Sequence, residues 1–152
     1  METDRIKILF ATETGNSEDL ANRTAETAEE KGFEVDVQNV EDFDLADLAS
    51  ETCLVFIGST MGEGEPPESA WDFHDALTEE QDLDLSGLSY SVVALGDKSY
   101  GDLFCAFGKK IDGELARLGA KCVVPRKDCD VDFDAPYASW SKAFFAAVTS
   151  AS

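Results

Sequence analysis

Residues 6–17 read Ile6-Lys7-Ile8-Leu9-Phe10-Ala11-Thr12-Glu13-Thr14-Gly15-Asn16-Ser17, and how this stretch is read decides the fold. A run with apolar residues on consecutive positions gives way to two threonines, a glycine, an asparagine and a serine. Beyond it, Leu20, Thr24, Ala25 and Ala28 recur at helical spacing until Lys31-Gly32 supplies a stop. A strand that passes through a short glycine loop into a helix is the first half of a β-α-β unit.

The same alternation continues outward. Runs rich in Val, Ile, Phe and Leu recur at Ile6 to Thr12, Glu34 to Val40, Thr52 to Thr60, Ser89 to Asp97 and Ala120 to Pro125. In the first, third and fourth the apolar residues are consecutive, as in Leu54-Val55-Phe56-Ile57, which predicts strands covered on both faces. The second alternates Val35, Val37 and Val40 with polar residues and is placed at an edge. Helical stripes are expected at Phe104, Ile111, Leu115 and Leu118 before Gly119, at Tyr137, Trp140, Phe144 and Val148, and over residues 66–77, opened by Pro66-Pro67. The predicted order is β-α-β-α-β-α-β-α-β-α: an α/β domain spanning residues 1–152, with a five-stranded parallel sheet and helices on both faces. Ligands of such folds bind at the carboxyl ends of strands, where the strand order reverses.

A chain of 152 residues with 43% hydrophobic residues suits one folded domain. Its net charge of -20, from 32 acidic and 12 basic residues, argues against nucleic acid or an anionic membrane as partner and makes a basic partner the natural complement. Solubility, or adaptation to high salt, explains the bulk of the charge equally well. No apolar run approaches a membrane span, and METDRIK lacks the layout of a signal peptide, so the cytoplasm is the expected compartment. Cys53, Cys105, Cys122 and Cys129 form no C-x-x-C pair and the chain has one histidine, so no metal site is expected and the thiols are read as reduced.

Three loops carry the chemistry. The hydroxyls of Thr12, Thr14 and Ser17, with the free amides at the helix start, can donate to an anion. No lysine accompanies them, which suits one monophosphate rather than the outer phosphates of ATP. Alone, this stretch reads equally well as an ordinary cap at Asn16 or Ser17. After the third run, Ser59-Thr60-Met61-Gly62-Glu63-Gly64-Glu65-Pro66-Pro67 can bring backbone close to a ligand, or can be merely a turn. After the fourth, Leu95-Gly96-Asp97-Lys98-Ser99-Tyr100 offers a tyrosine able to lie flat on a planar ligand.

T-x-T-G-N-S, S-T-x-G-E-G-E-P-P and A-L-G-D-x-S-Y, in that order at three strand ends, resemble the flavodoxin family, including the FMN domains of diflavin reductases such as the sulfite reductase flavoprotein. The resemblance covers essentially the whole chain and is to the short-chain type. It implies strand order 2-1-3-4-5 and FMN as non-covalent cofactor. It places Thr12, Glu13, Thr14, Gly15, Asn16 and Ser17 around the phosphate, Met61 and Gly62 at the ring, and Ser59, Thr60 and Glu63 among the cofactor-binding residues. Leu95, Gly96 and Asp97 would give backbone contacts, Tyr100 would stack on the ring's outer face, and Phe104 and Cys105 would lie nearby. Met61 departs from the aromatic residue many relatives carry. The segment from Tyr100 to Gly108 looks about one residue longer than in diflavin reductases, which loosens the match at Phe104 and Cys105.

The resemblance further implies that the Gly62 peptide turns its carbonyl toward flavin N5, stabilising the neutral semiquinone. Asp97, Glu63 and Glu65, with Asp128 and Asp130 after the fifth run, would bring negative charge to the rim and lower the second potential. Trp71 falls off the Ala70-Phe73-Leu77 stripe and suits either a docking surface or partial burial, whereas Trp140 and His74 are read as structural.

The leading expectation is a low-potential single-electron carrier, not itself an enzyme. It would be monomeric, with basic-faced redox partners: an NADPH-dependent flavodoxin or ferredoxin reductase and an acceptor oxidoreductase. The ordinary Met1 start and Ser152 end favour a complete protein. The alternative is the FMN domain or subunit of a diflavin reductase relaying electrons from an FAD/NADPH module. A signalling receiver would need a carboxylate pair after the first strand and an aspartate after the third, where Thr12-Glu13-Thr14 and Ser59-Thr60 stand. A relative that has lost its cofactor would stay colourless with FMN.

Overall fold

The computed structural model describes residues 5–11, 16–59, 70–80, 83–95, 106–129 and 134–150. Its strands are β1 (Arg5–Ala11), β2 (Glu34–Asn39), β3 (Cys53–Ser59), β4 (Ser89–Leu95), β5 (Lys121–Cys122) and β6 (Lys127–Cys129). Its helices, among the described residues, are α1 (Asn16–Glu30), α2 (Trp71–Glu79), α3 (Ala106–Arg117) and α4 (Asp134–Ser150). All strands pair in parallel in the order β2-β1-β3-β4-β5, with β6 also on β4, so the expected 2-1-3-4-5 arrangement is the one observed.

Each central strand divides its side chains between two cores. Ile6, Ile8 and Phe10 of β1, Val55 and Ile57 of β3 and Val93 of β4 pack with Leu20, Ala25 and Ala28 of α1 and Trp140, Phe144 and Val148 of α4. Leu9, Leu54, Phe56, Tyr90 and Val92 face the other way, against Phe73 and Leu77 of α2 and Ile111 and Leu115 of α3. This two-sided burial is why the apolar residues of these strands are consecutive. β2 sits at the sheet edge, as its alternation predicts. Helices α1 and α3 both end in a Schellman turn. Gly32 (φ 92°) and Gly119 (φ 102°) take the left-handed region, and Phe33 N–H donates to Ala28 O at 3.0 Å and Ala120 N–H to Leu115 O at 3.1 Å.

Lys7 is a polar residue inside β1 that folding buries, at 3% exposure. Its Nζ donates to Asp36 Oδ2 at 2.6 Å and Gln38 Oε1 at 2.7 Å, both on β2, and lies 5.3 Å from the centre of the Phe43 ring. The edge strand is thereby tied to its neighbour by a charge that has little access to water.

Two expectations need correction. The segment between β2 and β3 forms no α-helix; it makes two 3-10 turns, Val40–Asp42 and Leu45–Ser50. Asn39 caps the first by accepting from Glu41 N–H at 2.9 Å, and Leu45 and Leu48, three apart, both enter the core as 3-10 spacing allows. The fifth run, too, is strand over Lys121–Cys122 only, and a further strand, β6, lies beyond its end at Pro125. β5 pairs with Ser89 and Tyr90, and β6 resumes opposite Val93, so four residues (123–126) stand opposite two (91–92). Pro125, which has no N–H for a ladder, lies in this interruption. Ser91 satisfies it from β4: its hydroxyl donates to Val124 O at 3.1 Å and accepts from Trp140 Nε1 at 2.8 Å. Helix α2 starts at Trp71 among the described residues, while Pro66-Pro67 lies outside them.

Candidate functional site

The strand ends of this sheet lie level with one another. Ala11 pairs with Gly58, Gly58 with Ala94, Ser59 with Leu95 and Leu95 with Cys129, so β1, β3, β4 and β6 finish within one residue of each other. From β1 the chain passes to α1 on one face, and from β3 to α2 on the other. Strand order therefore reverses between β1 and β3, and the carboxyl ends of strands at such a reversal are where ligands of these sheets bind.

Asn16 and Ser17 open α1, with four residues between it and the end of β1. Ser17 is fully buried, and Glu18 and Asp19 put carboxylates in the first turn, where they favour the helix dipole. Thr24 fixes the helix in place, donating to Leu20 O at 2.8 Å and sharing a 2.7 Å hydrogen bond with Tyr137 OH of α4. The unpaired amides of a helix N-terminus suit an anion, and residues 12–17 add three hydroxyls and no cation. This donor set fits a phosphate monoester.

Of the other predicted site residues, Ser59 is the last residue of β3 and Leu95 the last of β4. Leu95 turns its side chain into the core, leaving its backbone for any ligand contact. Thr12, Glu13, Thr14, Gly15, Thr60, Met61, Gly62, Glu63, Gly96, Asp97, Tyr100, Phe104 and Cys105 lie outside the described residues, as do Glu65 and Asp130. Asp128 lies beyond the fifth run, within β6, and Arg126 Nε binds its Oδ1 at 2.8 Å. A carboxylate held by a guanidinium contributes less net charge to a rim than a free one. Trp71 is half exposed, as its position off the buried Ala70-Phe73-Leu77 stripe predicts, and Trp140 is buried. Among the described residues, no group of His, Cys, Asp and Glu could hold a metal, and no helix is long and apolar enough to cross a membrane.

Two features that support the site have no sequence period. Gly108 brings α3 against β4 so closely that a Cβ there would overlap Ala94 Cβ. Arg126 joins Asp128 to Asp112 of α3, Nη1 to Oδ2, at 2.9 Å. A glycine in a helix and a basic residue after a proline were their only signals.

Burial raises the Cys53 thiol to about 12 and that of Cys129 to about 11. Both stay protonated in the folded protein, while in the unfolded chain they ionise near 9.0. As pH rises through that value the unfolded state loses protons first, so stability falls. Between about pH 8 and pH 10 we expect a loss of about 1.4 kcal/mol per thiol. Urea unfolding of Cys53→Ala should show a shallower alkaline decline than the parent; an equally steep one would exclude this thiol as the cause.

The family model described as flavodoxin matches residues 8–140. The chain is 42% identical over 135 residues to the sulfite reductase [NADPH] flavoprotein alpha-component of Bacillus subtilis, covering 89% of this chain and 22% of that protein. It is 40% identical over 138 residues to the component of the same name from Vibrio vulnificus, covering 91% and 22%. The chain thus spans about a fifth of the length of these curated relatives. Among solved structures, a short-chain flavodoxin associated with a bacterial microcompartment superposes with a TM-score of 0.85 at 29% identity, covering 100% of both chains. The flavodoxin of Streptococcus pneumonia TIGR4 superposes at 0.84 and 27% identity, covering 97% of this chain and 99% of that one. The chain belongs to the flavodoxin family. Its cofactor is FMN, and its chemistry is electron transfer.

Proposed function

We propose that residues 1–152 act as one FMN domain that carries single electrons at low potential from a reductase to an acceptor protein, in the cytoplasm and as a monomer. The observation that carries this reading is the reversal of strand order at the level carboxyl ends of β1 and β3, beside the N-terminus of α1 with its neutral donor set. FMN bound there supplies one-electron chemistry. Thr12, Thr14 and Ser17 hydroxyls and the Asn16 and Ser17 amides hold the phosphate without a cation. Ser59, Thr60, Met61 and Glu63 line one side of the ring, and the thioether of Met61 packs against its face. Tyr100 covers the opposite face, the Leu95, Gly96 and Asp97 backbone meets the pyrimidine edge, and Phe104 and Cys105 lie close by. Gly62 offers its carbonyl to the proton at N5, an orientation open to glycine at little cost. Glu63, Glu65 and Asp97 disfavour further negative charge on the ring.

With a net charge of -20, the protein would meet its partners through a basic face on the reductase and on the acceptor. A redox titration followed by visible absorbance tests the carrier: a long-wavelength band at half reduction is expected, and direct two-electron bleaching would remove it. Reduction by an NADPH-dependent flavodoxin reductase should slow as salt rises from roughly 0.05 to 0.5 M. A flat profile would remove the steering.

A second reading is the FMN module of an NADPH-dependent diflavin reductase, supported by the 42% identity to the sulfite reductase component. Fusion of the two modules separates the readings. If electrons reach an acceptor only when this chain is joined to an FAD module, and not from free protein, the module reading stands.

A further inference from the structure

Three elements meet where two connecting segments leave the sheet. β4 ends at Leu95, α3 begins at Ala106 and β6 ends at Cys129, so these residues are the roots of segments 96–105 and 130–133. Arg126 and its partner Asp112 together join all three elements. Arg126, immediately before β6, directs Nε to Asp128 Oδ1 at 2.8 Å and Nη1 to Asp112 Oδ2 at 2.9 Å. The other oxygen of Asp112 accepts from Tyr90 OH of β4 at 2.6 Å. Arg126 and both carboxylates are only 22–26% exposed, so these charge-assisted bonds are partly shielded from water. The guanidinium fork can serve two carboxylates in different directions, which an ammonium cannot do in the same geometry. Without it, Asp112 and Asp128 would face each other as like charges, pressing α3 away from β6.

The clamp lies where the strand ladder is weakest. Residues 123–126 interrupt the fifth line of the sheet, and β6 is held by a three-residue pairing with β4. Pairing of that length fixes little by itself. The ion pair from Arg126 to Asp112 therefore ties the residue before β6 to the middle of α3.

We infer that Arg126 is a positioning residue for the flavin: through Asp112, which Tyr90 joins to β4, it braces α3 and β6 against β4, and β4 and α3 carry segment 96–105, whose Tyr100 is assigned to the ring. This rests on the flavin reading of that segment given above. Arg126 acts on the ring through Asp112 and Asp128 and need not touch the cofactor. Its loss should weaken the ring's binding while sparing the phosphate cradle at α1, which belongs to the other face of the sheet.

The test compares the parent with Arg126→Met, Arg126→Lys and Asp128→Asn. Dissociation constants for FMN and for riboflavin are read by fluorescence quenching on apoprotein, and both midpoint potentials on the FMN-loaded protein. In Arg126→Met both constants should rise in parallel by about tenfold, the loss expected when charge-assisted anchoring is withdrawn. The lower potential should move further negative as two carboxylates lose their cation. Arg126→Lys should restore the potential more than the affinity, because it returns the charge without the fork. Urea unfolding of each apoprotein identifies variants that fail to fold; should Arg126→Met be one, Arg126→Lys and Asp128→Asn carry the comparison. Affinities and potentials unchanged in folded variants would overturn the inference, as would a loss confined to FMN with riboflavin unaffected. If the parent takes up neither flavin, the flavin reading fails, and this inference with it.

Discussion

Gly108→Ala should destabilise the protein by up to about 2 kcal/mol and loosen its hold on FMN. The new methyl would overlap Ala94 Cβ, with its Cβ 3.2 Å from Ala94 Cα and 3.7 Å from Val92 Cγ1. None of these atoms is the end of a flexible side chain, so α3 or β4 must shift. Alanine's better helix propensity returns about 1 kcal/mol, and overpacking of a rigid contact costs about 1–3 kcal/mol and sometimes more. The steric term wins here because Ala94 is held in the ladder by both β3 and β6. Ala94→Gly in the same chain should recover part of the loss, and the coupling from the four urea unfolding curves measures the contact. A Gly108→Ala protein more stable than the parent would mean that α3 can step off the sheet freely.

Trp140→Ala should cost more, about 3–5 kcal/mol, as for other buried aromatic truncations. The indole is 2% exposed, stacks on Phe144 with centroids 5.0 Å apart and donates to Ser91 Oγ at 2.8 Å. Trp140→Phe keeps a ring in the core and removes only the donor, so it should lose about 1–2 kcal/mol. Ser91→Ala orphans the Trp140 N–H and leaves the Val124 carbonyl only the Cys122 thiol as donor. In a double-mutant cycle, Ser91→Ala with Trp140→Phe should therefore cost less than the sum of the single changes. Strict additivity would show that the two side chains are not coupled in solution.

Both residues show where sequence reading reaches and where it stops. Trp140 stands on a helical stripe with Tyr137, Phe144 and Val148, and that stripe is buried as read. Its polar partner, 49 residues away on β4, left no trace in the pattern. Gly108 reads only as a weak point in a helix, because what it makes room for is on another element. Asp128 reads as one more acid of a rim; Arg126, two residues before it, turns it into part of a clamp. The candidate site is read from the sequence only as three loops after strand runs, since glycine, hydroxyl and tyrosine positions there are local. Of its named residues, the described structure places Asn16, Ser17, Ser59 and Leu95 at those strand and helix ends.

By itself the sequence determined the alternation of strands and helices, which strands are covered on both faces, which lies at the edge, and where α1 and α3 stop. These depend on side-chain periods of 2 and about 3.6 and on left-handed glycines, all properties of neighbouring residues. Only the tertiary structure decided that the fifth line breaks in two, that the segment after β2 stays in 3-10 turns, and which charges are spent internally. Lys7 with Asp36 and Arg126 with Asp112 are separated by 29 and 14 residues. Pairings of that kind exist only once packing brings the partners together and withdraws water from them, so no local pattern records them.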